Sequence, residues 1–365
     1  MGRSSTPPPG CPSAGNIFTG NSVGIVAVGD LTGTTIRANS LSSYTGGLWL
    51  NDAKNLSVTG GNHLVANKVY GIYAIGDGTG TSVTLNQIND STFGVLLDRV
   101  LKLTLGAVGQ NNTIAPGLDT GGTYRAATSY GVYGTGNLTG TTVVSNSIID
   151  NTVGMYLHEA KGLVVNGGNL LYRNRLHGIV ASGLSTSTTI QGNAIDGSLP
   201  GGARAPYGVY LLNAKQMLVG GSASGQANGI YSTNVAICAT GALDGTAITG
   251  NSLGNNNTGF YLKSATNVWV ATNDSYGSAA YGFCATGICS GSTVTGNEIH
   301  HGEYGLVFDS AQGVAANGNR VYVNRQIGLL ALGISHGTIV QGNTITGNGT
   351  NISTANAVGG SFQTV

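Results

Sequence analysis

A sixteen-residue pattern that recurs seven times limits the folds open to this chain. In every copy Gly lies five places on and Asn fifteen places on, and the copies, called A coils below, begin at Gly24, Gly71, Gly131, Gly178, Ala236, Gly282 and Gly328. A periodic chain buries its core between neighbouring repeats, so it can form one long body instead of several globular units. We therefore expect the 365 residues to fold as a single elongated domain.

A second type of coil alternates with the first. These B coils begin at Gly47, Gly94, Gly154, Gly208, Gly259 and Gly305, and most steps from one coil to the next are 23 or 24 residues long. About 23 residues per turn favours a right-handed parallel β-helix with three short strands per coil, since a left-handed hexapeptide helix repeats every ~18 residues. The prediction is an all-β solenoid of about thirteen coils, paired as a 46 to 47-residue repeat.

The limits of the pattern predict the domain boundaries. Residues 1–15 are expected to be a disordered leader or a cloning remnant, residues 16–348 the β-helix, and residues 349–365 an irregular tail. Longer spacings predict three loops that leave the cylinder, within residues 116–129, 199–206 and 222–232. Insertions in repeat folds collect on one face, which is often the binding face.

Composition excludes several classes of protein. Only 8% of the residues are charged and the net charge is +1, so nucleic acid is an unexpected partner. The apolar residues recur at fixed intervals, which disordered chains lack, and no apolar run is long enough to predict a bilayer-spanning helix. The four Cys have no zinc-site spacing, and we predict neither metal nor cofactor. Cys284 and Cys289 are read as thiols that fill the stack, with a local disulfide as the alternative.

Alternation along each strand separates core from surface. In the second A coil, Ile72, Ala74 and Val83 point inward, and Ile88 starts a third inward column after the corner Asn. The corner Asn amides are predicted to form a structural ladder along the solenoid, through Asn39, Asn86, Asn146, Asn193, Asn251, Asn297 and Asn343.

The recurring G-[IV]-x-[AL] strand followed by N-x-[IL] resembles the parallel β-helix repeats of the pectin-lyase-like superfamily. The resemblance covers roughly residues 16 to 348. That superfamily includes pectate lyases, polygalacturonases, alginate epimerases, phage tailspikes, and NosD-type and autotransporter-passenger helices, so it implies the fold and leaves the activity open. The N-T-D, D-D and D-P-H-D strings of its enzymes are absent here, and no catalytic residue is carried over.

An apolar and aromatic column occupies the outward third position of both coil types. It runs through Val26, Trp49, Tyr73, Leu96, Tyr133, Tyr156, Val180, Tyr210, Cys238, Tyr261, Cys284, Val307 and Leu330. Solvent-facing strand positions are usually polar, so such a stripe indicates a contact surface. Its candidate binding residues are Trp49, Tyr73, Tyr133, Tyr156, Tyr210 and Tyr261. A covering loop, a protein interface and a glycan platform all remain open.

Titratable residues are densest between Glu298 and Asp309. The weak catalytic candidates are Glu298, His300, Glu303 and Asp309, with His301 beside them, and a second region contains Asp90, Asp98, Asp150 and Glu159. Glycoside hydrolysis needs two carboxyl groups across the scissile bond, whereas Glu298 and Glu303 fall on different sides of a corner. We read both regions as solvated corners, with an active site as the alternative.

These observations together predict a non-enzymatic extracellular or cell-surface module, such as a stalk, adhesin or fibre segment. Its partner is predicted to be a polysaccharide or a protein surface, and self-association through open solenoid ends or the stripe is a further expectation. The alternative is a carbohydrate-active enzyme, namely a polysaccharide lyase, glycosidase or epimerase of the pectin-lyase-like type.

Overall fold

In the computed structural model, each described strand between the first and last turns pairs in parallel with strands of the turns before and after it. The structure describes residues 15–20, 22–42, 44–116 and 129–364. They form a parallel β-solenoid of about 14 turns with about 24 residues per turn, which confirms the predicted fold class.

The strands have the following bounds in chain order. The first part of the solenoid contains β1 (Ile17–Thr19), β2 (Val23–Asp30), β3 (Thr35–Ile36), β4 (Ser40–Ser42), β5 (Gly46–Lys54), β6 (Ser57–Val58), β7 (His63–Val65), β8 (Tyr70–Asp77), β9 (Ser82–Val83), β10 (Gln87–Asn89), β11 (Phe93–Leu101), β12 (Thr104–Leu105), β13 (Thr113–Ala115), β14 (Tyr130–Asn137), β15 (Thr142–Val144), β16 (Ser147–Ile149), β17 (Val153–Lys161), β18 (Val164–Asn166) and β19 (Leu170–Tyr172). The second part contains β20 (His177–Ile190), β21 (Ala194–Asp196), β22 (Ala205–Gly220), β23 (Gly229–Tyr231), β24 (Thr233–Thr249), β25 (Ser252–Gly254), β26 (Thr258–Ala271), β27 (Asp274–Tyr276), β28 (Tyr281–Ile288), β29 (Thr293–Thr295), β30 (Glu298–His300), β31 (Tyr304–Gln312), β32 (Ala315–Asn317), β33 (Arg320–Tyr322), β34 (Ile327–Ile334), β35 (Ile339–Thr346), β36 (Thr350–Val358) and β37 (Ser361–Thr364).

Three faces enclose the core. The first face stacks the long strands that begin each coil, such as β5, β8 and β11. The second face stacks short strands such as β6, β9 and β12, and the third face stacks the strands that follow the corner Asn, such as β7, β10 and β13. Ile72, Ala74, Val83 and Ile88 are at most 1% exposed, as their alternation predicts.

The corner Asn residues form one continuous amide ladder. Each Nδ2 donates to the Oδ1 of the next Asn at 2.8–3.1 Å, from Asn39 through Asn62, Asn86, Asn112, Asn146, Asn169, Asn193, Asn228, Asn251, Asn273, Asn297 and Asn319 to Asn343. The predicted ladder is confirmed for the A coils, and the B coils contribute every second rung. These amides are buried, and their hydrogen bonds hold the corner backbone without leaving the amide groups unpaired.

The alternation of coil types has a steric cause at the end of each first-face strand. The recurring A-coil Gly residues there have φ between +63° and +82°, whereas the equivalent B-coil positions hold non-glycine residues with φ between +47° and +52°. The B-coil side chain extends over the next A coil, so that a Cβ on Gly136 would lie 2.6 Å from Arg99 Cγ. A side chain in one coil therefore requires Gly in the next, which doubles the repeat.

The C-terminal region differs from the expected irregular tail. Residues 350–358 and 361–364 form β36 and β37, which pair with β34 and β35 and add a further turn. Asn348 explains the continuation, since its Oδ1 accepts from Asn324 Nδ2 at 3.0 Å and repeats the corner bonding of earlier coils. The expected leader at residues 1–15 lies almost entirely outside the described residues.

The predicted loops fall at corners where the structure describes them. A short 3₁₀ helix, Pro200–Gly202, and an antiparallel bridge between Ser198 and Arg204 form the second loop. The third predicted loop, residues 222–232, is too long at its C-terminal end, because residues 229–231 form β23 and the irregular segment before it is residues 222–228. Most of the first loop, residues 117–128, lies outside the described residues.

Candidate functional site

Two aromatic columns run side by side along the outside of the first face. The second-column residues are the predicted candidates Trp49, Tyr73, Tyr133, Tyr156, Tyr210 and Tyr261. The first column, which our sequence analysis missed, lies immediately before each coil's first residue and contains Tyr70, Phe93, Tyr130, His177, Tyr207, Tyr281 and Tyr304. We call these two sets together the aromatic surface.

The structure shows how far the predicted stripe is exposed. The rings of the aromatic surface are half-buried, and Val26 at one end is 51% exposed. The small members Val180, Cys238, Cys284 and Val307 are 3–6% exposed. Val180 and Cys238 each lie in register between two tyrosines, whereas Cys284 and Val307 are in register with each other.

The rings contact one another along and across the columns. Tyr133 and Tyr156 have centroids 5.3 Å apart along the second column, while Phe93 meets Tyr133 edge-on at 5.3 Å across the two. Tyr207 and Tyr210 stack at 5.1 Å. Such contacts fix the ring orientations in advance, which lowers the entropic cost of binding a ligand.

A third outward column gives the aromatic surface a polar border. The Tyr73 hydroxyl donates to Asp98 Oδ2 at 3.1 Å, and the Ser182 hydroxyl bonds the Tyr156 hydroxyl at 3.3 Å and the His158 ring at 3.0 Å. The Thr286 hydroxyl donates to the Tyr261 hydroxyl at 3.3 Å. Hydrogen bonding by Arg99, and more weakly by Tyr73, holds the pKa of the Asp98 carboxyl below its usual value. The surface therefore offers ring faces beside hydrogen-bonding groups.

His177 is the titratable member of the first column. Its ring stacks on Tyr207 at 5.3 Å, and its Nδ1 is buried without a hydrogen-bond partner among the described residues. Burial lowers the pKa of His177 to about 4. The imidazole is therefore neutral at physiological pH, and it contributes to the aromatic surface by stacking and not by its charge.

Replacing His177 by Phe is expected to make the protein less sensitive to acid. As pH falls from 6.5 to about 4, the unfolded chain binds a proton that the folded His177 does not, so folding stability falls across this window. Phe keeps the stack on Tyr207 and removes the titration. Urea midpoints at several pH values should fall less between pH 7 and 4 in the variant than in the wild type. An equal fall in both proteins would contradict the assignment.

A histidine cluster lies on the third face, where three adjacent strands present polar side chains outward. The His300 Nε2 contacts Asp274 Oδ1 at 2.9 Å, and its Nδ1 contacts His301 Nδ1 at 2.6 Å. The imidazole is sandwiched between Tyr276 and Tyr322, with centroids 5.9 and 4.7 Å away. Glu298, two residues before His300 on the same strand, accepts from the Tyr322 hydroxyl at 3.2 Å and pairs with Arg320 at 3.5 Å.

The structure thus brings Glu298, His300 and His301 together and separates the other candidates from them. Glu303 pairs with Arg325 at 3.0 Å near the corner, and Asp309 lies on the first face in register with Thr286. Asp274, Tyr276, Arg320 and Tyr322 belong to the cluster and were missed. The signal was present in the sequence: counting from each corner Asn, these residues occupy the same two strand positions as Glu298 and His300.

The second group of carboxylates is dispersed. Asp98 belongs to the polar border, and Asp150 pairs with Arg173 at 2.7 Å on the third face. Asp90 lines a concavity of about 290 Å³ together with Lys68 and Ser91. Glu159 is exposed beside Gly183. These four carboxylates therefore lie at four separate places on the solenoid.

The thiols settle the disulfide alternative. Cys238, Cys284 and Cys289 are free and buried, so the bridge between Cys284 and Cys289 is wrong. Cys284 points outward under the aromatic surface, while Cys289 belongs to the core and its thiol contacts the Thr286 carbonyl at 3.4 Å. Cys11 lies outside the described residues.

Comparison with solved structures supports the fold. The crystal structure of the periplasmic alginate epimerase AlgG matches with a TM-score of 0.51 and 11% identity, covering 85% of this chain and 78% of that one. A point mutant of the same enzyme matches with a TM-score of 0.51 and 13% identity, covering 91% and 78%. At such identities the likeness shows the solenoid fold alone. No curated protein matches the chain.

A family model described as periplasmic copper-binding protein (NosD) also matches the chain, which raises the question of whether its residues fit a copper site. Among the described residues, no three His, Cys, Asp or Glu side chains lie close enough to hold a metal ion together. Burial raises the pKa of the Cys238 and Cys284 thiols to about 12, and the Met155 and Met217 thioethers are at most 2% exposed. The described soft donors therefore lie in the wall or core and do not fit a copper centre.

The family assignment rests on the extent of the match. The model covers residues 12–98, 110–278 and 203–364, which is nearly the whole solenoid. The chain therefore belongs to the NosD family.

Proposed function

We propose that this protein is a non-enzymatic binding module that acts outside the cytoplasm and holds a polysaccharide along its aromatic surface. The observation that carries the proposal is the double row of rings with its hydrogen-bonding border. From Trp49 to Tyr304 the row crosses eleven rungs, which at ~4.8 Å per rung extends about 50 Å. A linear sugar polymer is a ligand that can follow such a row.

The chemistry of the surface favours a sugar over a flat protein partner. Sugar rings have apolar faces that stack on Tyr and Trp, and hydroxyl groups that need partners at the edges. Tyr73, Tyr156 and Tyr261 supply both, because their rings face outward while their hydroxyls join the polar border. The low charge of the chain also argues against a partner recognised mainly by electrostatics.

The comparisons support the same class of partner and the same location. AlgG is named as an epimerase of alginate, a polysaccharide, and as periplasmic, and the NosD family description is also periplasmic. No helix among the described residues is long and apolar enough to cross a bilayer. These relationships motivate the choice of polysaccharides and the placement outside the cytoplasm.

A polysaccharide retention screen tests the proposal. In affinity electrophoresis through gels that contain a neutral glucan, a uronic-acid polymer or a glucosamine polymer, we expect at least one polymer to retard the intact chain. Retardation should occur without shortening of the polymer, as measured by its chain-length distribution. If no polymer retards the protein and light scattering shows concentration-dependent oligomers, the aromatic surface is a self-association site instead.

The histidine cluster supports a second candidate function, a carbohydrate-active enzyme. Asp274, His300 and His301 form a chain of contacts that could pass a proton, and Glu298 places a second carboxylate on the neighbouring strand. Acid–base catalysis on sugars commonly uses such paired groups.

Two conservative variants discriminate the candidates. If a polysaccharide is shortened or epimerised by the wild type, replacing His300 by Gln and Glu298 by Gln should each abolish the reaction. Product sizing and proton NMR of the polymer measure the two outcomes. If the wild type turns over a polysaccharide and each substitution abolishes that activity, the protein is an enzyme and not only a binding module.

A further inference from the structure

The aromatic surface is interrupted by a notch near its C-terminal end. Cys284 and Val307 occupy successive second-column positions there and are 5% and 3% exposed, so neither reaches the height of the neighbouring rings. The notch has a volume of about 320 Å³, and Tyr261, Tyr281 and Leu330 surround its floor. That volume is at the lower end for small-molecule sites, which suits a single substituent or sugar ring.

The polar lining of the notch is sparse and one-sided. Thr258 and Thr286 contribute hydroxyl groups, and Asp309 carries the only charge among the described lining residues. Asp309 is exposed, and the single hydrogen-bond partner of its carboxylate in the described structure is the Ser310 hydroxyl at 3.4 Å. The equivalent residue of an earlier coil, Asp98, is instead neutralised by Arg99 at 2.8 Å.

The field of Asp309 reaches the floor of the notch. Burial, and next the Asp309 carboxylate, raise the pKa of the Cys284 thiol to about 12. The floor is therefore a protonated thiol beside Val307, with no thiolate to bind a metal. A group that enters the notch meets two tyrosine rings, an apolar floor and one unneutralised carboxylate.

This combination fits an organic cation. Aromatic faces attract ammonium groups, and a carboxylate at the rim adds charge attraction and a hydrogen-bond acceptor. A neutral hydroxyl would gain only the hydrogen bond, and a carboxylate or sulfate would be repelled by Asp309. Among the substituents that sugar polymers carry, the protonated amine matches best.

We propose that the notch binds the protonated amine of an amino sugar and so gives the aromatic surface its preference among polysaccharides. The inference rests on the proposed function, because the amine is presented by a polymer that already lies along the ring columns. It assigns separate tasks to the two parts of the surface. The rings provide affinity for sugar, and Tyr261, Tyr281 and Asp309 select the amine.

Calorimetric titration with oligosaccharides of equal length tests the inference. We use glucosamine oligomers, their N-acetylated counterparts and a neutral glucan oligomer at pH 6, where the free amine is charged. The wild type is expected to bind the glucosamine oligomer at least tenfold more tightly than the N-acetylated one. Asp309→Asn should remove that preference and leave the affinity for the neutral oligomer unchanged, which also shows that the variant is folded.

A matched variant controls for general charge effects. Glu159→Gln removes an exposed carboxylate on the same face, outside both the notch and the polar border, and should keep the preference at its wild-type value. Equal binding of amine and N-acetylated oligomers by the wild type, or a preference that survives in Asp309→Asn, overturns the notch assignment while the proposed function stands. Failure of all three oligomers to bind also overturns the notch assignment, whereas the proposed function falls only if no polymer of the retention screen retards the protein.

Discussion

Replacing Asn112 by Ala is expected to lower the free energy of unfolding by about 3 kcal/mol or more, because the change leaves several buried polar groups unpaired. Asn112 is fully buried, and its Nδ2 donates to the Val83 carbonyl at 2.7 Å and to Asn146 Oδ1 at 2.9 Å. Its Oδ1 accepts from both the backbone N–H and the Nδ2 of Asn86 at 3.0 Å. Ala supplies none of these four bonds.

The preceding residue gives a matched control. Asn111 is exposed, so Asn111→Ala should change the free energy of unfolding by less than about 0.5 kcal/mol. Urea unfolding followed by circular dichroism measures both variants, and the difference between their midpoints is the quantity of interest. Similar midpoints for Asn111→Ala and Asn112→Ala would show that the ladder contributes little to stability.

The same ladder shows how far sequence reasoning reached. The A-coil rungs could be predicted because each Asn stands at a fixed distance from a coil start. B-coil rungs were missed because their distance from the coil start varies, from 15 residues for Asn62 to 18 for Asn112 and 14 for Asn273. The structure shows that a hydrogen-bonded ladder needs an amide on every turn, so the A-coil Asn residues alone already required partners between them.

Of the two columns of the aromatic surface, the sequence predicted the second and missed the first. Strict alternation places the third position of each coil outward, which correctly identified Tyr133 and its column. The residue before each coil start also points outward, because the first Gly and the residue after it both face inward and interrupt the alternation; a Cβ on Gly94 would meet the core side chain of Ile114. Gly46 obscures the first column further, since any side chain there would overlap the Tyr70 ring.

Predicting the histidine cluster requires the register between strands of the third face, which is harder to read from the sequence. Steps between successive third-face strands vary from 22 to 35 residues, because loops of different length precede them. Glu298 and His300 were noticed as local titratable residues, whereas Asp274 and Tyr322 became their neighbours only through the strand pairing. Asp309 was grouped with them by sequence distance and belongs to another face.

Replacing both Tyr133 and Tyr156 by Ala is expected to weaken polysaccharide binding about 30-fold, if each lost ring contact costs about 1 kcal/mol. The two rings are neighbours in the second column, with centroids 5.3 Å apart. Removing them divides the aromatic surface into two shorter rows, so a polymer can no longer contact both with one continuous segment. Affinity electrophoresis against the polymer that retards the wild type most gives the ratio of dissociation constants.

Tyr231 provides the control for this double variant, because it lies on the third face and outside the aromatic surface. Tyr231→Ala should retain wild-type affinity, and thermal melts of all variants should establish that the solenoid remains folded. Each single substitution should weaken binding less than the double substitution, because it removes one ring contact instead of two. Undiminished binding by a folded Tyr133→Ala, Tyr156→Ala variant would place the ligand on another face.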